Sequence, residues 1–120
     1  MRDIGYYNGK TGPIESMTIP MNDRVVYFGD GVYDATYEAD GTIFALEDHI
    51  DRFYSSCAKM EIPFSLPKDK LAGILQGLVD QVDGGVSHMI YWQATRGTGM
   101  RSHAFPGPDI PANLLATVRP

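Results

Sequence analysis

The apolar residues of this chain change period twice. From Leu46 to Val82 they recur at helical spacing: Leu46, Ile50, Phe53, Tyr54, Cys57 and Met60, then Leu71, Ile74, Leu75, Leu78, Val79 and Val82. Before and after that block they alternate. A period near 3.6 makes a helix with one apolar stripe, and a period of 2 makes a strand with one apolar face. The order strands, two helices, strands therefore reads as α+β, with two helices packed on a largely antiparallel sheet. A chain of 120 residues suits one domain over 1–120, large enough to bury a core of its own.

Turn residues divide the flanks. Ile4–Tyr7 reads as a strand, and Asn8-Gly9 favours a type I′ hairpin turn. Lys10–Pro13 prolongs the turn, and Ile14–Ile19 is expected to return as the second strand. Pro20–Arg24 is a polar connection. Val25–Phe28 is apolar and leads into Gly29-Asp30-Gly31, read as a tight turn feeding a strand over Val32–Glu38. That strand carries Tyr33, Ala35 and Tyr37 on one face. Asp40-Gly41 signals another hairpin, with Thr42–Leu46 returning.

Glu47, Asp48 and Asp51 occupy the first turns of the first helix, where carboxylates suit the positive end of the dipole. Pro63 is expected to end that helix at Ile62, and Pro67 to open the second. Val86–Thr95 is a strand with His88, Ile90, Trp92 and Ala94 on one face and Met89, Tyr91 and Gln93 on the other. Apolar residues on both faces point to a central strand covered on both sides. Arg96–His103 is a polar loop, Phe105–Pro111 is extended by its prolines, and Leu114–Val118 is the last strand.

Composition excludes several functions. Ten basic against fifteen acidic residues give a formal net charge of −5 and no basic cluster, so neither nucleic acid nor an anionic membrane is the expected partner. A single cysteine, Cys57, rules out an internal disulfide and fits a reducing compartment, so the chain reads as cytoplasmic. No His, Cys or carboxylate spacing resembles a metal site, and neither a P-loop nor a nucleophile elbow is present.

Two groups of residues carry possible chemistry. Arg52 lies on the first helix, beside its apolar stripe. It is placed either to bind a phosphate bidentately or to pair with Asp48 four residues earlier. Arg101 and His103 are two apart in the loop after the central strand, so an extended backbone points them the same way. Together they make a carboxylate trap; the alternative is a solvated loop. Cys57 reads as a buried, inert thiol, and His49 and His88 read as structural. None of Lys10, Lys59, Lys68 and Lys70 sits in a pattern that would desolvate an amine, which Schiff-base chemistry needs.

In combination these segments resemble the class IV, or fold-type IV, aminotransferases that use pyridoxal phosphate. The resemblance is carried by Tyr6-Tyr7-Asn8-Gly9-Lys10, by Asp23-Arg24 ahead of Phe28–Asp34, and by Asp40-Gly41. His49–Phe53 continues it, and Thr95-Arg96-Gly97 with Arg101-Ser102-His103 and Phe105-Pro106 completes it. Within the family the last piece is most similar to the D-amino-acid transaminases. The resemblance implies that Arg52 binds the cofactor phosphate. It implies that Tyr33, Arg101 and His103 bind the substrate α-carboxylate, the last two reaching across a homodimer interface, and that Tyr91 lines the same cleft. Amino acids and 2-oxo acids are the implied substrates. The family's Schiff-base lysine belongs to a C-terminal domain that is absent from this chain, so no catalytic residue is expected here and the chain alone is expected to be inactive. Branched-chain aminotransferase or aminodeoxychorismate lyase chemistry, or a non-catalytic oligomerisation or anion-binding module, are the alternative readings.

Overall fold

The computed structural model describes residues 1–120. Six strands form one antiparallel sheet: β1 (Ile4–Tyr7), β2 (Lys10–Gly12), β3 (Gly31–Ala39), β4 (Thr42–Ile43), β5 (His88–Thr95) and β6 (Asn113–Arg119), in spatial order β2-β1-β6-β5-β3-β4. Three helices complete it: α1 (Arg24–Phe28), α2 (Leu46–Lys59) and α3 (Lys68–Val79). The α+β reading holds, and β5 is an interior strand between β3 and β6.

The two long helices lie on the sheet face where Ile90, Trp92 and Ala94 of β5 and Leu114, Ala116 and Val118 of β6 make a continuous apolar surface. Phe53 and Cys57 of α2 and Leu71 and Leu75 of α3 bury against Ile90 and Trp92 of β5 and Ala116 and Val118 of β6. Phe53 meets Trp92 edge to face at 6.1 Å between ring centroids, an arrangement that adds to simple area burial. The opposite face of β5 carries Met89 and Tyr91, and no element of these 120 residues covers it: Tyr33, Tyr37 and Met89 are all exposed. The expectation that β5 is covered on both sides is therefore corrected.

Three local readings also change. Asn8 and Gly9 do make the first hairpin turn, both with positive φ, but the returning strand is Lys10–Gly12. Ile14–Ser16, expected in that strand, is a turn of 3₁₀ helix because Pro13 cannot donate to the ladder. Arg24–Phe28 is a helix rather than an apolar lead-in. The Asp23 carboxylate accepts the Val25 N–H at 3.0 Å at its start, and Gly29, left-handed at φ 62°, closes its end. Gly31 is already in β3, where a Cβ would stand 2.7 Å from the Ala94 carbonyl oxygen. The two glycines thus serve different needs: one a backbone angle, the other close strand contact.

Helix α2 stops at Lys59, three residues before the expected end. Glu61 takes a left-handed φ of 55°, the Ile62 N–H bonds Cys57 O at 2.9 Å, and the Glu61 N–H bonds Ala58 O at 3.1 Å. That is a Schellman closure, and it acts before Pro63 can. Arg96, from the far end of β5, caps the same terminus, donating from Nη2 to Met60 O at 2.9 Å and from Nη1 to Glu61 O at 2.8 Å.

Candidate functional site

The inward face of β3 is polar where the pattern of a half-buried strand calls for apolar residues. Asp34, Thr36 and Glu38 point at the helices and are all buried. Each has a partner. Thr36 donates to Phe44 O at 2.8 Å, and Glu38 accepts from His88 and from the Gly41 N–H. Asp34 is the one that concerns Arg52.

Arg52 grips Asp34 with one edge of its guanidinium, Nε to Oδ2 at 2.8 Å and Nη2 to Oδ1 at 2.7 Å. His49 Nδ1 stands 2.8 Å from Asp34 Oδ1; a carboxylate only accepts, so Nδ1 is assigned the proton. Burial alone would raise the Asp34 carboxyl, but the bonds from Arg52, His49 and the Ala35 N–H outweigh it and hold the group below its ordinary value of 3.8. The same bond from Asp34 raises Arg52, with a smaller contribution from nearby Tyr33, so the guanidinium stays charged. The expected partner Asp48 is not used. Arg52 remains 67% exposed, and its Nη1 makes no hydrogen bond within the chain. A phosphate would therefore be met by the outer Nη1–Nη2 edge, since Asp34 occupies the Nε–Nη2 edge.

Tyr33 lies on the opposite face of β3. Register puts Gln93 across from it and Tyr91 on the diagonal. The Tyr33 and Tyr91 rings stack at 5.1 Å and 23°, as diagonal aromatic pairs on a sheet do. Burial, then Tyr33, raise the Tyr91 phenol above its ordinary 10, so Tyr91 remains a neutral donor at physiological pH. It donates to Gln93 Oε1 at 3.2 Å.

Arg101 and His103 are brought together. Arg101 Nη2 lies 3.2 Å from His103 Nε2. A guanidinium only donates, so Nε2 accepts and the ring proton is assigned to Nδ1. The His103 ring stands edge-on to Phe28 at 5.8 Å, and Arg101 Cζ lies 5.6 Å from the same ring. The result is two exposed donors side by side on an aromatic support, the chemistry of a carboxylate receptor.

These residues form three stations, not one enclosed pocket: Arg52 toward the helices, Tyr33 with Tyr91 on the open sheet face, and Arg101 with His103 on the loop. No hydrogen bond or ring contact joins one station to another. The largest cavity, about 440 Å³ and lined by Leu46, Ile50, Asp51 and Ala72 among others, includes none of them. The four lysines are all exposed, as the sequence suggested. Asp34, Arg24, Asp30 and Arg96 were missed by sequence reasoning. For Asp34 a signal existed, in the polar run Asp34, Thr36 and Glu38 at alternate positions of β3.

Residues 31–119 match the model of the family described as amino-transferase class IV. The chain belongs to that family. The D-alanine aminotransferase of Staphylococcus aureus (strain MSSA476) is 32% identical over 113 residues, a match covering 92% of this chain and 39% of that protein. Among solved structures, the branched-chain amino acid aminotransferase of Escherichia coli superposes with a TM-score of 0.84 at 16% identity, over 100% of this chain and 41% of that one. The branched-chain aminotransferase of the thermophilic archaeon Thermoproteus uzoniensis, solved with norvaline, gives 0.81 at 14% identity, over 98% of this chain and 40% of that one. The architecture is that of the N-terminal domain of fold-type IV aminotransferases, and class IV aminotransferases are dependent on pyridoxal phosphate. The chain spans 39% of the length of the D-alanine aminotransferase it matches. No helix is long and apolar enough to cross a membrane.

Proposed function

We propose that residues 1–120 are the substrate-recognition part of a pyridoxal-phosphate-dependent transaminase that moves an amino group between a D-amino acid such as D-alanine and a 2-oxo acid. The observation that carries this reading is the Arg101–His103 pair: Arg101 Nη2 donates to His103 Nε2 at 3.2 Å beside the Phe28 ring, which leaves the other Arg101 N–H groups and His103 Nδ1–H to offer to a carboxylate. The relatives named D-alanine aminotransferase support it.

The residues present fit the cofactor's phosphate. Arg52 offers a permanent charge and a free Nη1 while its other edge is held by Asp34, so the phosphate meets a donor whose orientation is already set. When bound, pyridoxal phosphate supplies an electron sink for bond breaking at the substrate α-carbon. Tyr33 donates its phenol to the α-carboxylate, Arg101 and His103 Nδ1–H bind that carboxylate as well, and Tyr91 walls the cleft. As the family resemblance implies, Arg101 and His103 act on the substrate held by the neighbouring subunit of a homodimer. No lysine here is desolvated, so the residue that anchors the cofactor lies outside residues 1–120 and this chain alone does not transaminate.

The test is kinetic and uses the complete enzyme that carries this segment. Arg101→Ala and His103→Ala are each expected to raise KM for D-alanine about tenfold or more, the loss of a charge-assisted contact. An unchanged KM in both variants would overturn the assignment. Turnover of L-leucine in place of D-alanine would move the reading to branched-chain chemistry.

A further inference from the structure

The loop that carries Arg101 and His103 has little backbone support. The Gly99 N–H bonds Asn22 O at 3.0 Å, and the Ile110 N–H bonds Gly107 O within the loop; residues 100–109 make no backbone hydrogen bond to the rest of the protein. One side-chain hydrogen bond holds them. Arg24 Nη1 donates to the Ser102 carbonyl at 2.8 Å. Ser102 is the residue between Arg101 and His103, so fixing its carbonyl fixes the backbone from which both side chains leave.

Arg24 is itself fixed. Its Nε donates to Asp30 Oδ2 at 2.8 Å, and its Cζ lies 4.9 Å from the Phe28 ring that supports Arg101 and His103. Asp30 also accepts from Arg96 Nε, at 3.0 Å to each carboxylate oxygen. Arg96 is bolted to the end of α2 through Met60 O and Glu61 O, and its Cζ stacks 3.8 Å over Phe105, farther along the same loop. Arg24 and Arg96 are 6% and 3% exposed. One carboxylate thus joins two buried guanidiniums that grasp the loop at Ser102 and at Phe105.

We propose that Arg24 is a positioning residue for the Arg101–His103 pair and that Asp30 is the anchor that holds it in place. The proposal rests on the carboxylate-binding reading of that pair. The fork of Arg24 is essential to it. A guanidinium spans Asp30 and Ser102 O at once from two different nitrogens, whereas an ammonium on a flexible stem keeps the charge and loses that geometry. A displacement of about 1 Å in the groups that hold the substrate, even from a substitution outside the site, is enough to weaken that hold by a large factor.

Two measurements test this. In the 120-residue chain, the His103 and Phe28 ring protons are expected to show a nuclear Overhauser cross-peak. Arg24→Lys is expected to abolish it while the amide shifts of β5 and β6 stay in place. Asp30→Asn, close to isosteric, is the second variant in case Arg24→Lys fails to fold. In the complete enzyme, Arg24→Lys is expected to raise KM for D-alanine about tenfold with kcat changed less than about threefold, because the loss falls on substrate binding. An intact cross-peak in both variants would overturn the positioning role whatever the kinetics show. An unchanged KM in both Arg101→Ala and His103→Ala would instead overturn the carboxylate reading, so the two failures are distinct.

Discussion

Arg52 and Asp34 meet edge to edge across the α2–β3 packing, with Nε on Oδ2 at 2.8 Å and Nη2 on Oδ1 at 2.7 Å. The pair makes a buried carboxylate depend on an exposed cation. Asp34 is held below its ordinary 3.8, so the unfolded chain takes up its proton first as pH falls. The stability that Asp34 contributes is complete above its ordinary value and is lost progressively below it. Arg52→Ala removes two of the bonds that hold the group down. We expect urea midpoints measured from pH 6 to pH 2.5 to fall less steeply with acid in Arg52→Ala than in the parent. Parallel curves would show that Asp34 does not depend on Arg52.

Glu38 and His88 are a buried pair, the side chains 4% and 2% exposed. Burial would raise the Glu38 carboxyl, but His88 and the Gly41 N–H bring it below its usual 4.5. Removing one member leaves a charge buried without its partner, which costs about 3 kcal/mol. His88→Ala is therefore expected to lose about 3 kcal/mol in denaturant titration. The double variant Glu38→Met with His88→Leu is expected to lose less than His88→Ala alone. A double variant weaker than the single would show the pair to be net stabilising against an apolar replacement.

The long helices, the central strand and the Asn8-Gly9 turn were legible because each is written in local period or turn chemistry. The Arg101–His103 pair was legible because alternation along an extended loop is also local. Arg24–Asp30–Arg96 was not, since its members meet only after β5 and α1 are placed by the sheet and no spacing announces the meeting. Helix α1 was hidden for a related reason. Its five residues carry no full apolar stripe, and its real signals, Asp23 as cap and left-handed Gly29 as terminus, look like an ordinary polar connection and an ordinary turn. The uncovered face of β5 shows a further limit. Met89 and Tyr91 advertise a covering layer, but pattern does not say which chain segment supplies it.

Cys57 sits on the buried stripe of α2, and burial pushes its thiol up to about 11. At pH 8 the thiolate fraction of such a group is about one in a thousand, and the thiolate is the reactive form. Ellman's reagent at pH 8 is expected to titrate no thiol in the native chain and one thiol per chain in denaturant. Rapid native labelling would mean that α2 opens locally well before the sheet unfolds.

Glu61 is the residue at which α2 could be made firmer. It holds a left-handed φ of 55° in the position where Schellman closures favour glycine. Its carbonyl, not its side chain, accepts from Arg96 Nη1, so substitution leaves that contact intact. Glycine relieves the Cβ strain and costs some unfolded-state entropy in return. The strain is the larger quantity in the left-handed region, about 1 kcal/mol or slightly more. Glu61→Gly is therefore expected to raise stability by about 0.5 kcal/mol, read as a higher urea midpoint at unchanged m-value. Glu61→Ala retains the strain and is expected to show no gain. Equal behaviour of the two variants would place the effect in the side chain rather than in the backbone angle.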